Sequence, residues 1–184
     1  MCGIIALFGE TVEVSSHLLT HRGPDDYKTD TLGKCQMDFY RLSINDLTPA
    51  GMQPFRNGGE MLVCNGEIYN HRDFRTGEEV GNSDCEILIP LIREMGIMKA
   101  LDAITGDFAF VHTNGKRVLA ARDPVGVRPL FYTRYDTNSI AFASEVKALL
   151  FLKSDIHIFP PGHIYDSYVN DFICYTNGYW HINK

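Results

Sequence analysis

The order of apolar and polar positions predicts strands at both ends of the chain and helices near its middle. Residues 3–9 form an unbroken apolar run that ends in glycine, which is typical of a strand buried on both faces. Apolar runs at 36–44 and 60–65 predict two more strands, separated by a turn-rich segment. Two hairpins are predicted at 108–123 and 129–145, the first with an Asn-Gly turn, and one or two strands close the chain.

Helical patterns are shorter than the strand patterns. "SSHLLTHRG" at 15–23 starts with serine and ends with glycine, which predicts a short helix. A longer helix is predicted over 83–96, with Ser83 and Glu86 as a capping box and Pro90 as a kink. Further short helices are predicted at 97–104 and 145–152. Strands, then helices, then more hairpins indicate an α+β domain in which helices cover antiparallel sheets.

Length and charge limit the classes of protein that this chain can be. Its 184 residues, 45% hydrophobic and 22% charged, predict one soluble domain spanning 1–184. The net charge is -6 and no run of five basic residues occurs, so neither nucleic acid nor an anionic membrane is an expected partner. No apolar stretch reaches the ~18 residues of a membrane span, and the start lacks the basic segment of a signal peptide.

The cysteines and histidines do not form a metal or disulfide pattern. Five cysteines make an odd number, and none belongs to a CxxC pair, so neither a disulfide framework nor a zinc ribbon is predicted. His17 and His21 have half of a zinc spacing, but no second pair of ligands accompanies them. We therefore expect no metal, and a reducing, cytoplasmic compartment.

Ten short motifs follow one another in an order that resembles a known family. They are "MCGI", "HRGPDD", "RLSINDL", "GMQPF", "NGEIYNHRDFR", "SDCEILI", "GDFAFV", "ARDPVGVRPLFY", "SEVKALL" and "FPPGH". Together they resemble class II glutamine amidotransferase domains, most of all the glutaminase half of asparagine synthetases. The resemblance covers nearly the whole chain. It implies an N-terminal-nucleophile hydrolase fold, a four-layer αββα sandwich of two antiparallel sheets flanked by helices.

Cys2 is the candidate nucleophile. Taken alone, a cysteine at the start of an apolar strand fits a small core residue better than a nucleophile. If Met1 is removed, however, Cys2 carries both a thiol and a free α-amine. Such an amine, with a pKa of ~7.7–8.0, is neutral in about a tenth of molecules at pH 7 and can act as a general base. The resemblance implies that Cys2 attacks the side-chain amide of glutamine and forms a thioester.

Asn65 and Gly66 are the candidate oxyanion hole. A tetrahedral oxyanion needs hydrogen-bond donors that are already in place. Asn65 offers a side-chain NH2 and Gly66 a backbone N–H, just after a strand predicted to end at Cys64. An Asn-Gly pair equally suits a tight turn at a strand end. The resemblance implies that these two residues hold the oxyanion.

Charged residues are the candidates for binding the α-carboxylate and α-ammonium groups of glutamine. Arg41 has a planar fork that matches a carboxylate. The resemblance places the glutamine carboxylate on Arg41 and the ammonium near Glu67 and Asp84. It adds backbone groups of Leu42, Ser43, Ile44 and Asn45 to the carboxylate site. Each charged residue alone would also fit a surface ion pair, a solvated turn or a helix-start acid.

The other motifs have less specific interpretations. "HRGPDD" is expected to shape a loop over the pocket, with Arg22 and Gly23 as its important residues. "RDPVGVRPLFY" and "SEVKALL" are interpreted as turns and core. Tyr69 and Asn70 are candidates for the wall of the substrate pocket.

The chain departs from asparagine synthetases in one large respect. It has no SGGxDS-type pyrophosphate loop, so it is expected to release ammonia from L-glutamine without activating aspartate. It would be either an excised half or a free-standing glutaminase that docks on a synthetase subunit. No cofactor is expected for the glutaminase reaction, and ATP and Mg only with a separate synthetase domain or subunit. Segments 10–17 and 76–82 are short for the family, and the short 76–82 segment predicts a more open pocket.

Two other functions remain open at this point. One is the glutaminase half of a phosphoribosyl or sugar-phosphate amidotransferase. The motifs "HRGPDD" and "RLSI" argue against this alternative. The other is a catalytically silent module that senses glutamine or holds a partner. Silence would have to come from an unprocessed Met1 or from poor site geometry, since all the named residues are present.

Overall fold

Twelve strands and two α-helices make up the part of the chain that the structure, a computed structural model, describes: residues 1–10, 12–44, 47–75, 77 and 81–176. The strands are β1 (Gly3–Phe8), β2 (Asp26–Leu32), β3 (Cys35–Arg41), β4 (Phe55–Asn57), β5 (Glu60–Ile68), β6 (Gly106–Thr113), β7 (Val118–Arg122), β8 (Phe131–Asp136), β9 (Ser139–Ala143), β10 (Ile156–Ile158), β11 (His163–Asp166) and β12 (Asp171–Cys174). The helices are α1 (Leu88–Met95) and α2 (Ile97–Ala103).

The strands form two six-stranded antiparallel sheets. The first has the order β10-β8-β9-β1-β3-β2 and the second the order β12-β11-β7-β6-β5-β4. The strands predicted at 3–9, 36–44 and 60–65 are confirmed as β1, β3 and β5, and the two predicted hairpins as β6–β7 and β8–β9. Hydrophobic patterning missed β2, because this edge strand exposes mostly polar side chains and pairs only with β3.

The unbroken apolar run of β1 is explained by burial on both faces. Ile4 and Ala6 face the core between the two sheets, and Ile5 and Leu7 face the outer side of the first sheet. The core between the sheets includes Met37, Phe39, Met61, Val63, Ala109, Val111, Phe142 and Phe159. Cys2, which directly precedes β1, packs against this core and therefore lies at one end of it.

Helices α1 and α2 cover the outer face of the second sheet, as the αββα order predicts. The predicted helix over 83–96 begins instead as a 3₁₀ helix at Asp84–Ile87. The predicted capping box is wrong: the Ser83 side chain makes no cap bond, and Glu86 accepts a bond from the Gly81 N–H at 2.9 Å. Pro90 lies in the first turn of α1, where a missing N–H breaks no intrahelical hydrogen bond.

The outer face of the first sheet is covered by turns and 3₁₀ helices within the described residues. The helix predicted at 15–23 is wrong, because the segment forms successive turns, such as Arg22 N–H to Leu19 C=O at 2.9 Å. Two apolar side chains in nine residues give a regular helix too little surface to bury. The helix predicted at 145–152 is two 3₁₀ helices, Val146–Ala148 and Leu150–Leu152. Leu19, Ala148 and Leu149 still seal this face, so the four-layer order is confirmed.

None of the helices in the described part of the chain has both the length and the apolar character needed to span a bilayer.

Candidate active site

Cys2 lies at the start of β1, half-buried, with its sulfur held by the backbone of Leu42. The Leu42 N–H donates to Cys2 Sγ at 3.4 Å, and the thiol donates to the Leu42 carbonyl at 3.5 Å. Leu42 directly follows β3, which pairs with β1, so the strand register brings the two residues together. Arg22 Nε fixes the other side by donating to the Cys2 carbonyl at 3.0 Å.

Burial decides the protonation state of the Cys2 thiol. Desolvation raises its pKa, and the hydrogen bond from the Leu42 backbone opposes this rise only in part. The thiol is therefore protonated at neutral pH and needs a base before it can attack a substrate. In the described chain Met1 precedes Cys2 and lines the same cleft, so a free α-amine on Cys2 requires removal of Met1.

The cleft beside Cys2 is lined by all the described residues that were predicted to form the nucleophile, the oxyanion hole and the binding groups for the two charges of glutamine. Its volume is about 630 Å³ when its open mouth is included. The predicted residues that line it are Cys2, Arg41, Leu42, Ser43, Ile44, Asn65, Gly66, Glu67 and Asp84. Asn45, the remaining predicted residue, lies outside the described residues.

Asn65 presents an unpaired amide to this cleft. Its side chain is 1% exposed, and its Nδ2 has no hydrogen-bond partner among the described residues. The alternative of an Asn-Gly turn is wrong, because β5 continues through both residues to Ile68 and pairs with β6. A buried donor without a partner is rare in folded proteins, and in a cleft it is ready for a ligand acceptor.

Gly66 is a glycine because two strands approach closely there. A Cβ on Gly66 would lie 2.4 Å from the Asp107 carbonyl oxygen and 2.6 Å from Phe108 Cα. Any side chain would therefore push β5 away from β6. Strand pairing, and not a turn, fixes the position of the Gly66 N–H.

Arg41 is the last residue of β3 and is 7% exposed. Its Nη2 donates to the Thr48 carbonyl at 2.9 Å, which anchors the guanidinium at the cleft wall. The "HRGPDD" segment supports this strand end: Asp25 N–H donates to the Arg41 carbonyl at 3.0 Å and Asp25 Oδ2 accepts from Ser43 N–H at 2.7 Å. Gly23 is required there, since its Cβ would lie 2.1 Å from the Tyr40 carbonyl oxygen.

Two carboxylates give the same cleft its negative charge. Asp84 is 5% exposed, and its Oδ2 accepts from the Ile68 N–H at 2.6 Å, which ties the 3₁₀ helix to the end of β5. Glu67 is exposed at the cleft rim. With Arg41, these acids provide charges of both signs, which suits a zwitterionic amino acid.

Gln53 is a cleft residue that sequence reasoning missed. It is buried, donates Nε2–H to the Cys64 carbonyl at 3.1 Å and accepts from the Cys64 N–H at 2.6 Å. Its side chain therefore bonds to β5 as a neighbouring strand would. An amide inside the otherwise apolar and turn-forming "GMQPF" was the available signal.

Arg128 is the second residue that was missed, since "RDPVGVRPLFY" was interpreted as turn and core. Its Nη2 lies 3.1 Å from Asp107 Oδ2, while its buried Nε has no partner among the described residues. The Asp123 carboxylate shapes the loop by accepting the N–H groups of Val125, Gly126, Val127 and Arg128. An aspartate followed by a glycine three residues later was the available signal for this turn.

The remaining candidates lie elsewhere. Tyr69 borders a neighbouring depression, and Asn70 bonds to Ala103 and Thr105, so neither lines the Cys2 cleft. His21 Nε2 lies 2.9 Å from Glu145. Within the described ranges, no group of three or more His, Cys, Asp or Glu side chains is arranged to hold a metal ion.

The structure is thus a layered sandwich of two antiparallel sheets in which Cys2 directly precedes an inner strand. The same cleft holds the Asn65 amide donor, which is unpaired among the described residues. Residues 1–160 match the family model described as glutamine amidotransferase domain, and the chain belongs to this family.

Curated relatives agree with this family, and a solved structure has the same fold. The chain is 37% identical over 198 residues to the glutamine-hydrolysing asparagine synthetase of Zea mays, covering 98% of this chain and 33% of that one. It is 38% identical to asparagine synthetase 3 of Arabidopsis thaliana, covering 91% and 32%. The glutamine phosphoribosylpyrophosphate amidotransferase of B. subtilis has the same fold, with a TM-score of 0.77 at 19% identity, over 96% of this chain and 50% of that one. The chain spans about a third of the length of the curated relatives it matches.

Proposed function

We propose that this chain hydrolyses the side-chain amide of L-glutamine to glutamate and ammonia through a thioester on Cys2. One observation carries the proposal: a single cleft holds both the Cys2 thiol and the buried, unpaired Asn65 donor. Leaving a buried donor unpaired costs about 1–3 kcal/mol. When the sulfur of that thiol attacks a substrate carbonyl, the carbonyl oxygen becomes an oxyanion. This oxyanion would be the hydrogen-bond acceptor for the Asn65 donor. Family membership supports the same activity.

The reaction begins with the base that removal of Met1 would expose. The Cys2 α-amine takes the thiol proton, and the sulfur attacks the side-chain carbonyl carbon of glutamine. The carbonyl double bond becomes an oxyanion, which Asn65 Nδ2–H and Gly66 N–H stabilise. When the carbonyl re-forms, the C–N bond breaks and the ammonium returns its proton to the leaving nitrogen, which gives ammonia and a thioester. Water then attacks the thioester, and glutamate and the free thiol are released.

Recognition of glutamine rests on charges of both signs. We assign the α-carboxylate to Arg41, assisted by the backbone of Leu42, Ser43, Ile44 and Asn45. We assign the α-ammonium to Glu67 and Asp84. The burial of Arg41 and Asp84 supports these assignments, since a partly desolvated ion pair is stronger than an exposed one.

The ammonia acceptor is proposed from the relatives, which are about three times as long as this chain. In this proposal residues 1–184 are one glutamine amidotransferase domain, and a synthetase domain or subunit receives the ammonia to form asparagine. ATP and Mg would belong to that synthetase part, and hydrolysis of glutamine would need no cofactor. A cytoplasmic location, where thiols stay reduced, fits the five free cysteines.

A catalytically silent module is the second candidate, and whether Met1 is removed decides between the two. Met1 lines the cleft and occupies the nitrogen of Cys2, so a chain that kept Met1 would lack the proposed base. Such a chain could bind glutamine through Arg41 and Asp84 without hydrolysing it.

Intact-mass analysis of the purified chain, paired with an assay of ammonia release from glutamine, separates the two candidates. The active enzyme requires loss of Met1 and turnover that Cys2→Ala abolishes. Cys174→Ala is the matched control, because Cys174 is exposed and lies outside the cleft. Processed protein that binds glutamine without turnover, with or without a synthetase partner, would establish the silent module instead.

A further inference from the structure

A second cleft lies at the end of the sandwich opposite Cys2. Phe8 ends β1 and lines this cleft, whereas Cys2 precedes the start of the same strand. Six residues of strand separate the two clefts by about 20 Å. The first sheet contributes Phe8, Ile140 and Arg134, the second contributes Tyr165, and Ser167 directly follows β11. The cleft therefore opens between the two sheets, away from the candidate active site.

The charge of this cleft contrasts with that of the whole protein. Lys34, Lys116 and Arg134 line it, and no acidic side chain is among its described lining residues. The chain as a whole has a net charge of -6. The nearby carboxylate of Asp166 is already paired with Arg117, whose Nε donates to Asp166 Oδ1 at 2.8 Å. Three positive groups around one cleft repel each other unless an anion lies between them.

A close backbone contact joins the two turns that carry Lys34 and Lys116. Lys34 follows Gly33 in the β2–β3 turn, and Lys116 follows Gly115 in the β6–β7 turn. A Cβ on Gly33 would lie 2.1 Å from the Gly115 carbonyl oxygen, and both glycines have positive φ, +58° and +83°. This close approach of two hairpin turns from different sheets requires glycine at position 33, and the positive φ of Gly115 also favours glycine.

Arg134 is held in place by Asn170. Both guanidinium Nη atoms donate to Asn170, one to its side-chain oxygen and the other to its backbone carbonyl at 3.0 Å. The same side-chain oxygen accepts from Tyr165 OH at 2.9 Å, and Arg134 lies over the Tyr165 ring at 5.5 Å. Asn170 has a φ of +55°, an unusual conformation for a residue other than glycine. A guanidinium held in this way needs little reordering to meet an anion.

Ser167 adds a hydroxyl at the same place. Its Oγ accepts the Val118 N–H at 2.9 Å, which leaves the hydroxyl hydrogen available for donation. The cleft thus combines two ammonium groups, one fixed guanidinium and one hydroxyl donor. This set of donors matches a phosphate group, which has several acceptor oxygens and more than one negative charge.

We propose that this second cleft, lined by Lys34, Lys116, Arg134 and Ser167, binds a phosphate-bearing small molecule. The proposal is independent of glutamine hydrolysis, because no residue of the Cys2 cleft takes part in it. The shared chemistry is the phosphate group. Inorganic phosphate and a mononucleotide are two sources of it that the experiment distinguishes.

Isothermal titration of the full chain with inorganic phosphate, pyrophosphate and AMP tests the proposal. We expect saturable one-to-one binding of at least one of them at low salt. Lys34→Gln combined with Lys116→Gln should weaken it by about tenfold or more, because charge-assisted hydrogen bonds are lost. Preference for inorganic phosphate or pyrophosphate would identify a free anion, and preference for AMP would identify a nucleotide.

The matched control is Lys28→Gln combined with Lys99→Gln, which changes the net charge equally at exposed positions outside the cleft. Ammonia release from glutamine should be the same in both double variants. The titration therefore tests anion binding alone, and the ammonia assay tests the proposed glutaminase alone. The proposal is overturned if no ligand gives saturable binding, or if both double variants lose affinity equally.

Discussion

Arg22 connects the carbonyl of Cys2 to Glu145, a residue more than a hundred positions away in the chain. Its Nε donates to the Cys2 oxygen at 3.0 Å, and its Nη1 donates to Glu145 Oε1 at 3.1 Å. The "HRGPDD" and "SEVKALL" motifs therefore meet behind the candidate nucleophile. Glu145 orients Arg22, and Arg22 orients the backbone that carries the Cys2 sulfur.

Glu145→Gln should slow glutamine turnover without weakening glutamine binding. The amide keeps the size of the side chain but removes the charge that holds Arg22. Glu145 is partly exposed, so the loss should be about 1 kcal/mol or less, which corresponds to a two- to fivefold lower kcat. Steady-state kinetics should show this drop at an unchanged KM for glutamine.

Lys147→Gln is the matched control, because Lys147 also contacts Glu145, at 3.6 Å, but does not contact Cys2 or Arg22. It should leave kcat unchanged. An equal loss in both variants would mean that Glu145 acts through the general stability of this surface and does not position Arg22.

Asn65→Ala should separate catalysis from stability. Removal of one oxyanion donor lowers kcat by about 10²–10³-fold, while the KM for glutamine should change little. The melting temperature should stay the same or rise, because the Asn65 Nδ2 is buried without a partner among the described residues and costs the fold free energy. Ammonia-release kinetics and thermal unfolding of the same preparation check both outcomes.

Asn70→Ala should show the opposite result, which makes it the control. Its Nδ2 donates to the Ala103 carbonyl at 3.0 Å and its Oδ1 accepts from Thr105 N–H at 2.7 Å. Loss of these bonds should destabilise the protein by about 1–2 kcal/mol and leave kcat almost unchanged. Small, equal losses of kcat and of glutamine affinity in Asn65→Ala would contradict its assignment to the oxyanion.

Arg41→Lys should raise the KM for glutamine by about tenfold, because lysine keeps the charge but loses the fork that binds a carboxylate by two hydrogen bonds. The kcat should change much less. L-Glutaminamide, which lacks the α-carboxylate, should be hydrolysed equally poorly by the wild type and by Arg41→Lys. A penalty of the same size with both substrates would show that Arg41 does not contact the carboxylate.

The sheets could be predicted where burial dictates the sequence pattern. The run around Ile4 and Ile5 predicts a strand because opposite faces of β1 pack on different cores. Polar β2 gave no such signal, because its place is set by pairing with β3. The 15–23 helix was predicted from its end residues, but its few apolar side chains favour turns that place Leu19 against the sheet.

The site could be predicted where its residues lie in short motifs. Cys2, Arg41, Asn65 and Asp84 were each predicted as candidates in this way, and all of them line one cleft. Arg128 could not be predicted from a motif. It reaches the cleft because Asp123 shapes the loop that carries it and because it forms an ion pair with Asp107. Such relationships depend on tertiary structure and leave little trace in local spacing.

Gly66→Ala should destabilise the fold as well as the site. The new Cβ would meet the Asp107 carbonyl oxygen at 2.4 Å, and backbone atoms on a paired strand cannot move aside easily. We expect a loss of about 1–3 kcal/mol in the free energy of unfolding. Denaturant unfolding should show a larger loss than Gly59→Ala, since a Cβ at Gly59 would have no atom within 4 Å and only its positive φ is strained. Equal losses would mean that strand contact is not what requires glycine at position 66.

The pH dependence of ammonia release tests the identity of the base. Burial raises the pKa of the Cys2 thiol, so the thiol does not ionise by itself near pH 7. The rate should therefore follow deprotonation of the α-amine, whose ordinary pKa is ~7.7–8.0. Because the neutral amine is the active form, kcat/KM should rise by about fivefold from pH 7 to pH 8 and then level off. A variant that retains Met1 should show no such rise and almost no turnover. A profile that is flat between pH 6 and pH 8 in the processed protein would exclude the amine as the group that accepts the thiol proton.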